Sequence, residues 1–155
     1  MEGQIIERSD AAHAFIAALA RRLRDQGGAA LILDYGPSAS APGDSLQAIS
    51  NGAPADPLAE PGAADLTAHV DFAGLARTAS QNGAAVHGPI PQGIFLARLG
   101  LFQRTDRLAR AQPPARASAL IQSAQRLAEP AAMGRLFKVM AICHPSLPVP
   151  AGFAE

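Results

Sequence analysis

The pattern of apolar and polar positions predicts a helix at the start of this chain. Apolar residues at helical spacing would lie on one face of this helix: Ala12, Phe15, Ile16, Leu19 and Leu23. Ser9 precedes this face and can cap the helix, because its hydroxyl can accept from the first free N–H groups. Gly27 and Gly28 follow the last apolar residue, so the helix is expected to end near Gln26.

A short apolar run, Ala29–Leu33, follows the two glycines and ends abruptly in Asp34, Tyr35 and Gly36. A run that is apolar at every position predicts a strand covered on both faces, as in a parallel sheet between helices. In such sheets the ligand crevice lies outside the carboxyl ends of the strands. We therefore expect Asp34 and Tyr35 to lie at the edge of a site.

The next segment, residues 37–64, has no regular period and is rich in Pro, Gly, Ser and Ala. We interpret it as a long loop insert, with a short helical turn within residues 43–49. Asp71 then predicts the N-cap of a second helix, in which Val70 and Leu75 occupy the two positions of a hydrophobic staple.

The remaining pattern completes a single partial α/β domain over residues 1–155. A second strand is predicted at 84–87, a helical insertion at 91–130, a third strand at 135–143 and an extended tail at 144–155. Strand, insert, helix and strand in this order predict a crossover unit.

Composition narrows the class of protein. The 155 residues are 48% hydrophobic with zero formal net charge, which allows a folded core and gives no global electrostatic case for binding nucleic acid or a membrane. Cys143 is the only cysteine, which fits a reducing compartment. No run reaches the ~18 apolar residues of a membrane span. We expect a cytoplasmic protein, and no histidine pair has the spacing of metal ligands.

Several motifs, in order, resemble the MidA-type S-adenosyl-L-methionine (SAM)-dependent methyltransferases. They are Gly27-Gly28, residues 31–36 (LILDYG), 43–47 (GDSLQ), 65–72 (DLTAHVDF), Gln92-Gly93 and 133–139 (MGRLFKV). The resemblance implies the C-terminal part of a Rossmann-like class I methyltransferase, with residues 31–35, 84–87 and 135–143 as its fifth, sixth and seventh strands. Mitochondrial members are complex I assembly factors that dimethylate an arginine of a complex I subunit. SAM as cofactor, protein-arginine methylation and a protein substrate of this kind are therefore implied.

The sequence departs from the family pattern on the cofactor side. No Gly-x-Gly run stands between a predicted strand and a helix, so the SAM-binding fingerprint is missing. The family's first four strands also have no counterpart. We therefore expect this chain to supply the acceptor side, to bind no SAM alone, and to pair its exposed sheet edge with another chain or a second copy.

The resemblance suggests three catalytic candidates, Asp34, Tyr35 and His69. A carboxylate can orient a guanidinium through paired hydrogen bonds, a tyrosine ring can stack on it, and a histidine can take up a proton near neutral pH. The substrate-binding candidates are Asp44, Gln47, Asp65, Thr67 and Asp71. Most of these candidates also have a structural interpretation. Asp34 could cap the next turn, Tyr35 could pack under the insert, and His69 could support the fold. Asp65, Thr67 and Asp71 could act as capping residues near the second helix.

Two other readings of the whole chain remain open. It could be a non-catalytic interaction module that binds a partner through its insert and a stripe of arginines, or a truncated gene product. The stripe consists of Arg98, Arg104, Arg107, Arg110 and Arg116. A solvated helix face is the favoured interpretation of that stripe, because no aromatic residues are interleaved with it to stack on bases.

Overall fold

The computed structural model describes residues 3–154, which form six helices and six strands. The helices are α1 (Asp10–Gln26), α2 (Phe72–Gln81), α3 (Gln92–Arg98), α4 (Leu101–Ala109), α5 (Pro114–Ala128) and α6 (Met133–Leu136). The strands are β1 (Ala29–Tyr35), β2 (Gln47–Ser50), β3 (Ala53–Ala55), β4 (Asp65–Thr67), β5 (Ala85–Pro91) and β6 (Phe137–Cys143). No helix in this part of the chain is long and apolar enough to cross a membrane.

The main sheet has the strand order β1-β6-β5, with β6 antiparallel to both neighbours. β1 and β5 therefore run in the same direction on either side of β6, which confirms the predicted crossover and the α/β fold class. Residues Val139–Cys143 of β6 are fully or almost fully buried because strands flank them on both edges and helices on both faces.

The helices α1 and α2 cover one face of this sheet. Their core is a cluster that includes Ile16, Ala20, Leu23, Phe72, Leu75, Met140 and Ile142. The prediction for α1 is confirmed, since Ser9 Oγ accepts from the N–H of Ala12 at 3.3 Å and the helix ends at Gln26. Phe15, which belongs to the same apolar pattern, is 65% exposed and is not part of this core.

On the other face, the short helices α3 and α6 pack against the end of α5. Both Gly93 and Gly134 lie so close to the carbonyl oxygen of Ala128 that a Cβ at either position would overlap it. The buried Gln92 adds a hydrogen bond from Nε2 to the carbonyl of Leu127 at 2.8 Å. The two glycine motifs near these helices therefore serve close packing. The strand predicted to begin at residue 135 begins two residues later, because Met133–Leu136 is helical.

The first strand of the sheet departs from the prediction that both its faces are covered. Ala30 and Ile32 pack on the α1–α2 core, but Leu31 is 50% and Leu33 46% exposed on the opposite face. β1 is also an edge strand, paired only with β6 among residues 3–154. Its pairing partner is antiparallel, so the parallel neighbour expected from its composition is not part of the described chain.

The insert is more ordered than predicted. β2 pairs with β3 and β4 in a second, three-stranded sheet, so the helical turn expected at residues 43–49 is wrong. Asn51 and Gly52, at φ 52° and 78°, connect β2 to β3. Two consecutive residues with positive φ form the tight turn that matches the twist of a hairpin, and an Asn-Gly pair is the sequence typical of it.

Candidate functional site

A cavity of about 870 Å³ opens where β1 ends. Its walls come from five parts of the chain: the segment before α1, the start of the insert, the return from the insert to α2, the α5–α6 connection, and the stretch from the end of α6 into β6. The cavity therefore lies at the carboxyl end of β1, where the sequence predicted a site.

Lys138 forms part of the cavity wall beside the end of β1. It is 8% exposed, and its Nζ donates to the carbonyl oxygens of Gly36 at 2.9 Å, Arg135 at 2.6 Å and Leu136 at 3.2 Å. Burial lowers the pKa of this amine, and the nearby charge of Arg135 lowers it further. Because an ammonium has three donors and all three are used here, Lys138 joins β1 to the α6–β6 turn and has no donor left for a ligand.

Gly36 brings the return of the insert against the end of β1. A Cβ at this position would overlap the carbonyl oxygen of Val70, so only glycine allows this approach. The N–H of Val70 in turn donates to the carbonyl of Tyr35 at 3.0 Å. His69 and Asp71, on either side of Val70, therefore reach the cavity.

Glu7, Ser45 and His69 form a hydrogen-bonded chain in the cavity wall. The carboxylate of Glu7 accepts from the N–H of Ser45 at 3.0 Å and also from its hydroxyl. The same hydroxyl oxygen accepts from the N–H of His69 at 2.9 Å. The pKa of Glu7 is lowered, first by the Ser45 hydroxyl and then by the Ser45 N–H, so the ionised carboxylate is favoured.

The second carboxylate in the cavity, Asp71, caps α2. Its Oδ1 accepts from the N–H of Gly74 at 2.9 Å and from the hydroxyl of Ser40 at 2.7 Å, and Arg77 donates to that hydroxyl at 3.1 Å. Burial opposes ionisation of Asp71, but the bonds from Ser40 and Gly74, with the charges of Arg77 and His13, leave its pKa below the usual value.

The structure gathers the three catalytic candidates around the end of β1 but gives them different settings. His69 lines the cavity, and its ring meets that of Tyr35 edge-on with centroids 5.8 Å apart. Tyr35 also packs edge-on against Phe137 at 5.6 Å. Asp34 Oδ1 accepts from the N–H of Tyr35 at 2.8 Å. Neither Asp34 nor Tyr35 lines the cavity, and their catalytic roles stay predictions.

The substrate-binding candidates divide into two groups. Asp71 lines the cavity, whereas Gln47, Thr67 and Asp65 lie in the small sheet, where Gln47 stands opposite Thr67. Asp44 is exposed in the loop before that sheet and does not line the cavity.

Two residues of the cavity wall, Glu7 and Ser45, were missed as candidates. Ser45 stood inside the GDSLQ motif, which was the available signal. Glu7 precedes the first periodic segment and had none.

The described residues do not fit a SAM-binding site. β1 leads through Gly36 into the insert, and the backbone of Val70 occupies the space beside this glycine where a Cβ would stand. β5 leads directly into α3, where the carbonyl oxygen of Ala128 occupies the space beside Gly93. Neither strand end therefore offers the open, glycine-rich turn at a helix N-terminus that brings backbone N–H groups close to a cofactor.

Comparison with known proteins gives a consistent result. The family model described as "Putative S-adenosyl-L-methionine-dependent methyltransferase" matches residues 1–90. The mitochondrial protein arginine methyltransferase NDUFAF7 homolog of Drosophila melanogaster is 38% identical over 129 residues, covering 82% of this chain and 29% of that protein. Human protein arginine methyltransferase NDUFAF7, also mitochondrial, is 37% identical over 128 residues, covering 82% of this chain and 29% of that protein.

Two crystal structures of Burkholderia thailandensis proteins are similar over almost the whole chain. An uncharacterized protein has a TM-score of 0.80 and 26% identity, covering 99% of this chain and 44% of its own. A second, bound to S-adenosyl-homocysteine, has a TM-score of 0.78 and 28% identity, covering 96% of this chain and 39% of its own. The chain thus spans under a third of the curated relatives and under half of the solved ones.

Proposed function

This chain belongs to the family of SAM-dependent methyltransferases, and we propose that it forms the acceptor side of a protein-arginine methyltransferase. The observation that carries the proposal is the cavity at the carboxyl end of β1, with the carboxylates of Glu7 and Asp71 and the imidazole of His69 in its wall. Carboxylates pair with a guanidinium through charge-assisted hydrogen bonds, and the cavity is large enough for an arginine side chain.

The chemistry asked of these residues is modest. The methyl group of SAM is already activated on a sulfonium, so the protein chiefly aligns the acceptor nitrogen with it and accommodates the proton that this nitrogen loses. His69 is the proposed proton acceptor, because a neutral imidazole has a ring nitrogen that can accept a proton and this one lines the cavity. Tyr35 is proposed to hold the imidazole by its edge-on contact.

The cofactor side is proposed to be supplied across the open edge of β1. The carbonyl of Gly28 accepts from the N–H of His144, and the N–H of Gly36 donates to the carbonyl of Leu136, so both glycines bond on the β6 side. The carbonyl of Tyr35 accepts from the N–H of Val70, on the side away from β6. In an antiparallel pair this alternation directs the N–H and C=O groups of Leu31 and Leu33 outward. Unpaired backbone and half-exposed leucines together favour an additional strand at this edge. A second copy of the chain is the competing occupant.

The interaction-module alternative gains no support from the arginine stripe. All five of its side chains are exposed, and Arg110 pairs with Asp106 one helical turn away at 2.8 Å. This is the arrangement of a solvated helix face. A complex I subunit as the acceptor and a cytoplasmic location stay predictions; the curated relatives carry mitochondrial names.

The acceptor role can be tested by amide NMR with the blocked tripeptide acetyl-Gly-Arg-Gly-amide. We expect saturable shifts at the amides of Gly36, Ser45 and His69, which surround the cavity, and none with acetyl-Gly-Glu-Gly-amide. Shifts confined to the exposed faces of α4 and α5, or equal responses to both peptides, would refute the acceptor role.

A further inference from the structure

We propose that Glu7 is the carboxylate that binds and orients the acceptor guanidinium in the cavity at the end of β1. The inference rests on the proposed function and names a specificity-determining residue for it. It also moves this role from Asp34, the acid that the sequence favoured, to a residue of the segment before α1.

Glu7 has a free acceptor position on each carboxylate oxygen, which the other two acids near the end of β1 do not offer to the cavity. A carboxylate offers about four lone-pair positions. Asp34 lies outside the cavity lining and accepts from the N–H of Tyr35. Asp71 Oδ1 already accepts two bonds, from the N–H of Gly74 and the hydroxyl of Ser40, so Asp71 cannot receive two parallel N–H groups with one on each oxygen. Glu7 accepts one bond from Ser45 on each oxygen, and the N–H of Leu46 lies near enough to help lower its pKa. Each oxygen keeps a lone pair outside the bonds from Ser45, which suits the two parallel N–H groups of a guanidinium.

The surrounding chain also holds Glu7 in place. Its partner Ser45 is 9% exposed and is itself fixed by the N–H of His69 at 2.9 Å. The segment that carries Glu7 is tied to the insert a second time, by the N–H of Gly43 donating to the carbonyl of Ile5 at 3.0 Å. A long side chain that is already ordered loses less conformational entropy when it binds a ligand.

The basic side chains that face the same cavity form no salt bridge with Glu7 among residues 3–154. Lys138 uses its three donors on carbonyl oxygens, so it competes little for Glu7. Arg135 lines the cavity but forms no salt bridge among residues 3–154. The hydrogen bonds from Ser45 also favour the ionised form of Glu7, which is the form that pairs with a cation.

The test is the affinity of the chain for acetyl-Gly-Arg-Gly-amide, measured by NMR titration, in Glu7→Gln and in a matched control. The glutamine keeps the side-chain length and one acceptor oxygen for Ser45 but removes the charge. Glu60→Gln is the control, because Glu60 is exposed on the insert and lines no part of this cavity. We expect the dissociation constant to rise about tenfold in Glu7→Gln, from the loss of a charge-assisted pair, and to stay unchanged in Glu60→Gln.

A second measurement needs no variant. The side-chain carboxyl carbon of Glu7, followed by ¹³C NMR in the unmodified chain, should shift in step with peptide binding. If the peptide binds at the cavity but neither the Glu7 carbon nor the Glu7→Gln affinity changes, the assignment of Glu7 is wrong while the acceptor site stands. If the peptide does not bind the cavity at all, both the assignment and the proposed function fail.

Discussion

Replacing Lys138 by Met is the sharpest test of how the cavity is built. The side chains are similar in length, but Met cannot donate to the carbonyl oxygens of Gly36, Arg135 and Leu136. Gly36 is buried, so its carbonyl would be left without a partner at a cost of about 1–3 kcal/mol. Arg135 and Leu136 are exposed, so water can replace much of what their carbonyls lose.

Two effects of opposite sign complete the estimate. The lost bonds to the exposed carbonyls add about 1 kcal/mol to the destabilisation. Removing a buried charge, whose pKa is lowered by burial, stabilises the fold and offsets part of that destabilisation. We therefore expect Lys138→Met to lower the free energy of unfolding by about 2–3 kcal/mol. Urea denaturation at neutral pH measures this change, and Arg135→Met, at an exposed neighbour, should change it by less than about 0.5 kcal/mol. If Lys138→Met also changes the free energy of unfolding by less than about 0.5 kcal/mol, Lys138 does not stabilise the junction between β1 and the α6–β6 turn.

Three further predictions follow from single residues. The pKa of Asp71 is lowered in the folded chain, so its ionised form stabilises the fold above the unfolded pKa of about 4, and this stabilisation is lost as pH falls through the lower folded pKa. The difference in unfolding free energy between the unmodified chain and Asp71→Asn should therefore shrink in acid. A difference that does not change with pH would contradict the role of Asp71 as a charged cap. Cys143 is fully buried and burial raises its pKa, so a thiol reagent should label it only after unfolding in urea; rapid labelling of the folded chain would show that β6 is not central. Gly134→Ala should destabilise by about 2 kcal/mol or more, because its Cβ overlaps the Ala128 carbonyl, and a neutral effect in thermal denaturation would place α5 and α6 farther apart.

Elements that depend on local patterns could be predicted from the sequence. α1 has its cap, its apolar period and its glycine stop within the same stretch, and α2 has the Asp71 cap that the structure contains. The location of the cavity followed from the place where the apolar run of β1 ends. These signals lie within a few residues of the feature that they predict.

Features that depend on distant partners were missed. The small sheet of the insert joins residues 47–50 to residues 53–55 and 65–67, and no periodic pattern shows that pairing, although Asn51-Gly52 marks its turn. Glu7 reaches the cavity only because Ser45, 38 residues later, folds back onto it. Burial of both faces of β1 was inferred from its composition, but the cover over Leu31 and Leu33 is not supplied by residues 3–154.

The central claim is that this chain supplies the acceptor side of a methyltransferase and that SAM is held elsewhere in the fold. Calorimetric titration of the chain with SAM tests it most directly, because the cavity at the end of β1 is proposed to take a guanidinium and the glycines at both candidate strand ends are filled by backbone. We expect no heat of binding for SAM, under conditions in which the arginine tripeptide shifts the cavity amides. A SAM affinity in the micromolar range would contradict it.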